Sequence, residues 1–127
     1  MVREELVIPP IILEWCHWVV WNDLKVDARG GFGVRVPEDK GVYEAKYSGA
    51  DERLTIGKAS NLRRRVKEGL VRGVTSHEAG DKIRAHEDVS LVVVRWARCE
   101  RPAAAEEELH LRHVRRFGQL PKYVGHT

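Results

Sequence analysis

The stretch from Gly41 to Val66, GVYEAKYSGADERLTIGKASNLRRRV, constrains the fold more than any other part of this chain. Two short alternating segments, Val42–Tyr47 and Leu54–Gly57, flank a polar turn that holds Gly49. Alternation with period two is the pattern of a half-buried strand, and so short a connection makes the pair an antiparallel hairpin. Tyr43, Ala45 and Tyr47 fall on one face of it, with Val42, Glu44 and Lys46 on the other. Gly57 ends the second strand where backbone must approach another element closely. Asn61, with Ser60 as the alternative, is placed to cap a helix beginning at Leu62. That helix turns Leu62 and Val66 toward the core and carries Arg63, Arg64, Arg65 and Lys67. The order hairpin, glycine, capped basic helix therefore gathers a tyrosine and a cluster of cations at one corner.

The remaining chain supplies the scaffold. With 127 residues it suits one domain, and 43% hydrophobic with 32% charged residues is a globular composition. The formal net charge is only +3, a mild lean toward an anionic partner. Clustering says more: from Lys58 to Arg72 there are six basic side chains and one acid, Glu68. Cys16 and Cys99 are too few and too far apart for a disulfide framework and match no zinc-ligand spacing, so reduced thiols are expected. No run approaches a membrane span and no targeting segment is visible, which makes the cytoplasm the default location.

Residues 1–36 read as an N-terminal extension packed on a domain spanning 37–127. Ile11–Leu24 fits either a helix or, from Val19, the start of a strand. The polar side formed by Glu14, Asn22 and Asp23 favours the helix. Three of the four tryptophans lie here, either as packing groups or as a surface for a nucleic acid or a partner chain. Asp27–Gly33 reads as a turn. Thr75-Ser76 caps a second, shorter helix over His77–His86. Val89–Ala97 is apolar on both faces at its centre, as a central strand should be. Ala103–Phe117 is a helix whose glutamates precede its arginines, with Leu111, Val114 and Phe117 as the buried stripe and Gly118 as its C-cap. Glu107, four residues before Leu111, then lies on or beside that stripe.

These features resemble the GIY-YIG nuclease superfamily. Gly41-Val42-Tyr43 matches the first name-giving motif, and Thr55-Ile56-Gly57 matches the second with threonine in place of tyrosine. The resemblance covers roughly residues 37–124. It implies an α/β (α+β) fold with a three-stranded antiparallel sheet flanked by helices. By the same resemblance Arg65 is the catalytic arginine. Glu107, or Glu108 in the neighbouring register, is the ligand of one Mg2+ or Mn2+ ion. Gly69 stands where many members have histidine, and Val124 where many have asparagine after a Leu-Pro like Leu120-Pro121. Members hydrolyse phosphodiester bonds in DNA.

The chemistry suits those residue types. Phosphodiester hydrolysis needs an activated water, a counter-charge for the crowded phosphorus and help for the leaving oxygen. Tyr43 is the group to hold or deprotonate the water, and Arg65 the planar fork to clamp the phosphate. Lys58, Arg63, Arg64 and Lys67 are placed to hold the DNA backbone, and His77 to bind phosphate or move a proton. The alternative is a nucleic-acid-binding module, or a subunit of a homodimer or larger assembly joined through the tryptophan-rich segment, that no longer cuts.

Overall fold

A computed structural model describes residues 1–26 and 33–124. The expected turn at Asp27–Gly33 therefore lies, apart from Gly33, outside the described residues. Four strands form one antiparallel sheet: β1 (Val19–Val20), β2 (Gly41–Tyr47), β3 (Thr55–Ala59) and β4 (Val92–Arg98), in the order β1-β4-β2-β3. Around the sheet lie the basic helix Arg63–Val71, helix α1 (Glu78–His86) and helix α2 (Pro102–Phe117).

The fourth strand corrects the three-stranded expectation. Val19 and Val20 pair with Val94 and Val93, so the segment read as helical contributes an edge strand. Only a 3-10 turn at Trp21–Leu24 follows it. The extended path begins earlier, where Cys16 N–H donates to the Trp96 carbonyl at 3.0 Å. Sheet pairing and the Val19-Val20 β-branched pair outweigh the polar side that favoured a helix.

The two faces of the sheet bury different things. On one, Tyr43, Ala45, Val94 and Trp96 pack with Leu62, Val66, Leu70 and Ile83 from the helices, and with the fully buried Trp21 and Leu24. On the other, Val42 and Ala97 pack with Ala105 of α2 and with Ile11, Leu13 and Trp15 of the extended segment. This second face holds a buried carboxylate. Glu44, 2% exposed, is gripped by Arg53 at 3.1 Å and by Arg95 at 2.5 Å. Arg95 in turn lies over Trp15 at 4.3 Å and Trp18 at 4.5 Å. Two of the N-terminal tryptophans are thus spent on cation–π contacts that staple the segment to the sheet, and the third is core.

The basic helix is wound as a π-helix. Arg72 N–H reaches back to the Lys67 carbonyl at 3.0 Å, five residues away. A π-turn takes more residues than an α-turn, which brings Leu62, Val66, Lys67 and Val71 onto one inward face. Asn61 begins it as expected, its side-chain oxygen accepting Arg64 N–H at 3.1 Å. Helix α1 is capped by His77, whose side chain accepts Gly80 N–H, and not by Thr75 or Ser76.

Helix α2 begins one residue earlier than expected, at Pro102, and ends as expected at Phe117, where Gly118 closes it at φ 77°. Its buried face differs from the expectation: Leu111 and Val114 are 44% and 39% exposed, while Ala105, His110 and His113 face in. The two histidines are buried because they serve the hairpin. His110 Nε2 lies 3.0 Å from the Ile56 carbonyl of the edge strand. His113 Nε2 accepts Arg53 N–H at 3.1 Å, and its Nδ1 lies 2.7 Å from the Gln119 carbonyl. Among the described residues no helix is long and apolar enough to cross a membrane.

Removing the charge of Glu44 leaves two guanidiniums facing a neutral amide. Glu44→Gln is expected to lower unfolding free energy by about 3 kcal/mol in urea titration at unchanged m-value. A loss under about 1 kcal/mol would remove the clamp from the account of how the N-terminal segment is held.

A candidate phosphate-binding groove

A groove of about 1410 Å³ runs along the outer side of edge strand β3, between the basic helix and α1 on one wall and α2 on the other. Tyr43, Lys58, Arg64, Arg65, His77, Glu106 and Glu107 all line it. Four stretches distant in sequence, residues 40–65, 75–79, 102–111 and 120–124, thereby share one concavity.

The hairpin register explains how a tyrosine from an inner strand reaches this edge. Tyr43 stands directly opposite Gly57. A Cβ at residue 57 would collide with the Tyr43 hydroxyl and ring. The missing side chain is the space the phenol crosses. Beyond it the Tyr43 oxygen meets His77 Nε2 at 2.8 Å, and both residues are 2% exposed. Burial pushes the Tyr43 phenol above its ordinary range, the Arg65 charge and hydrogen bond pull it down, and Glu106 adds to the rise. Desolvation outweighs the guanidinium, so the resting side chain is a neutral phenol.

Arg65 is half-buried, with Nη1 donating to the Ser76 carbonyl at 3.2 Å, a contact that ties the basic helix to the start of α1. Arg64 and Lys58 are exposed on the groove walls. Lys40 adds a further cation at the rim, paired with Glu100 at 3.2 Å.

The acid coupled to this chemistry is Glu106. It is half-buried and is the carboxylate whose charge acts on Tyr43, whereas Glu107 is exposed farther out on the same wall. Glu108 lies off the groove, bound to Arg112 at 3.2 Å and near Arg115 at 3.9 Å. The one-residue difference follows from the register of α2. A stripe drawn through Leu111 points to Glu107, while the face actually buried runs through His110, four residues after Glu106.

Other expected groups lie elsewhere. Lys67 is 2% exposed and donates to the Val34 carbonyl at 2.7 Å, so it is a structural lysine of the interior. The π-winding is what carries it inward. Arg63 is half-buried and does not line the groove. His77 spends both ring nitrogens within the protein, Nδ1 on Gly80 at 2.9 Å and Nε2 on Tyr43, and is not free to take a phosphate. Thr55, at the position of the missing motif tyrosine, is buried and donates Oγ1 to the Tyr123 carbonyl at 2.7 Å, holding the C-terminal segment against the groove.

Among the described residues no cluster of three or more His, Cys, Asp or Glu is arranged to hold a metal ion. The donors on the α2 wall are the carboxylates of Glu106 and Glu107. That set fits a magnesium-type ion, which is commonly held by one or two carboxylates and completes its shell with water and phosphate oxygens. It does not fit zinc. Compared with protein-family models, with curated proteins and with solved structures, the chain matches none.

Two outcomes are expected from this geometry. Gly57→Ala forces Tyr43 from its place and should cost about 1–3 kcal/mol in denaturant unfolding, with loss of the nuclear Overhauser contact between the Tyr43 and His77 rings. A second outcome concerns acid. Burial, then the charges of Arg65 and Arg84, lower His77 from 6.5 to about 4. The unfolded chain therefore binds a proton that the folded chain refuses, so this contribution is complete above pH 6.5 and is lost as pH falls toward 4. The loss is on the order of 3 kcal/mol and should be absent over that window in His77→Asn.

Proposed function

We propose that the chain is a metal-dependent DNA endonuclease, hydrolysing phosphodiester bonds with Tyr43, Arg65 and Glu106 around one phosphate. The observation that carries the reading is their convergence: a phenol, a guanidinium and a carboxylate line one groove otherwise bounded by Lys40, Lys58 and Arg64. The motif-level resemblance to the GIY-YIG superfamily supports it independently.

In this reading the DNA backbone enters along β3. Arg64 and Lys58 hold phosphates beside the scissile one by charge, without reading sequence. Arg65 grips the scissile phosphate; its anchorage on the Ser76 carbonyl fixes the fork before substrate arrives. Tyr43 orients the attacking water from the bottom of the groove. Glu106, with Glu107 beside it, would hold one Mg2+ or Mn2+, whose chemistry is to neutralise charge on the phosphate and on the leaving oxygen. Trp21 is core and Trp15 and Trp18 lie against Arg95, so the reading assigns the tryptophans to packing and not to DNA.

The test is plasmid nicking with Mg2+ or Mn2+. Arg65→Ala and Glu106→Gln are each expected to lower the rate at saturating DNA by about 100-fold or more, Glu107→Gln by much less. Lys58→Ala and Arg64→Ala should weaken DNA binding and each reduce the salt dependence of log K by about one. Lys67→Met should leave DNA binding unchanged. A wild type that binds DNA with the expected salt dependence but never nicks it would establish the binding-module alternative. Nicking that survives both Arg65→Ala and Glu106→Gln would remove the site.

A further inference from the structure

We propose that His77 is a positioning residue for Tyr43, donating its Nε2–H to the phenol oxygen so that the phenol's own hydrogen faces the groove. The inference rests on the nuclease reading for its use, but its geometry stands without it. A backbone N–H can only donate, and Gly80 N–H is 2.9 Å from His77 Nδ1, so Nδ1 carries no proton. A neutral imidazole has one N–H, which must then sit on Nε2. Nε2 is 2.8 Å from the Tyr43 oxygen, so the ring is the donor in that bond.

The surroundings keep this assignment fixed. His77 is the N-cap of α1, and both it and Tyr43 are 2% exposed, so the bond between them is largely shielded from bulk water. Gly80 is pressed against the basic helix: a Cβ there would run into the Leu70 backbone. The N–H that selects the tautomer therefore belongs to backbone pressed against the basic helix. The ring is also kept neutral by burial and by the neighbouring Arg65 and Arg84, against Asp81.

The consequence is a direction for proton movement. His77 has no free lone pair toward Tyr43 and cannot take its proton. Tyr43 loses that proton only into the groove, where Arg65 lies and Glu106 opposes the loss. The resulting phenolate keeps the Nε2–H bond, which strengthens when its acceptor is charged. In hydrolysis the phenolate accepts a proton from water: a water O–H breaks, the Tyr43 O–H forms, and the hydroxide electron pair attacks phosphorus. The phosphorus bond to the leaving oxygen then breaks, and that oxygen takes a proton from solvent. Tyr43 returns its proton to solvent before the next turnover. Throughout, His77 keeps its proton and holds the oxygen in line.

Two measurements test this, neither of which uses cleavage. In protein labelled with 15N-histidine, His77 near neutral pH should show an unprotonated Nδ1 and a protonated Nε2. The opposite tautomer, or a doubly protonated ring, overturns the proposal. In His77→Asn the side-chain oxygen can still accept Gly80 N–H and cap α1, but the Nε2–H donor to Tyr43 is gone and Arg65 alone is left to donate. With the three tyrosines replaced by 3-fluorotyrosine and read by 19F resonance, the Tyr43 titration should move up by about one to two pH units in that variant. An unmoved titration in a folded variant overturns it. A protein that fails to nick DNA but passes both tests would lose the nuclease reading and keep this one.

Discussion

The organisation of this molecule depends on a missing atom. Because residue 57 has no Cβ, the ring of Tyr43 lies across strand β3 and delivers its hydroxyl to the sheet edge. Any other side chain there would turn the phenol back into the core or split the hairpin. Everything gathered at the groove is placed relative to that crossing. The basic helix starts just beyond β3, α1 presents His77 to the oxygen, and α2 brings Glu106 from the opposite face.

A second constraint holds the frame in which this happens. The far face of the sheet is shared between α2 and the N-terminal segment, and that segment has little regular structure with which to bind. It is held by a relay of opposite properties: buried Glu44 fixes Arg53 and Arg95, and those guanidiniums receive the Trp15 and Trp18 rings. The carboxylate is buried at low cost because two cations meet it, and the cations are flattened into surfaces on which an indole can lie.

The local signals in the sequence were the reliable ones. The hairpin, the Asn61 cap and the C-terminal end of α2 rest on neighbouring residues, and each is found, whereas Gly57 lies inside β3 and does not end it. What was not legible depended on partners far along the chain. A two-residue strand, β1, lies below the length at which alternation can be recognised, and it exists because β4 offers it a mate. The buried face of α2 departs from the periodicity because buried histidines count as polar in it, although the hairpin backbone satisfies them here. The face observed leaves Glu106 half-buried and Glu107 exposed, both lining the groove. Lys67 was placed on the outside because an α-helical period was assumed where the winding is wider.

The outer rim of β3 has one more consequence. Tyr123 N–H occupies the Leu54 carbonyl, His110 sits on that of Ile56, and Thr55 reaches the backbone of Tyr123. A border furnished in this way at Leu54 and Ile56 is less open to an incoming polypeptide laying itself alongside as a fifth ribbon. Whatever lodges there is met by side-chain heads and not by a ladder of amides, which favours a ligand rich in acceptor oxygens over a peptide.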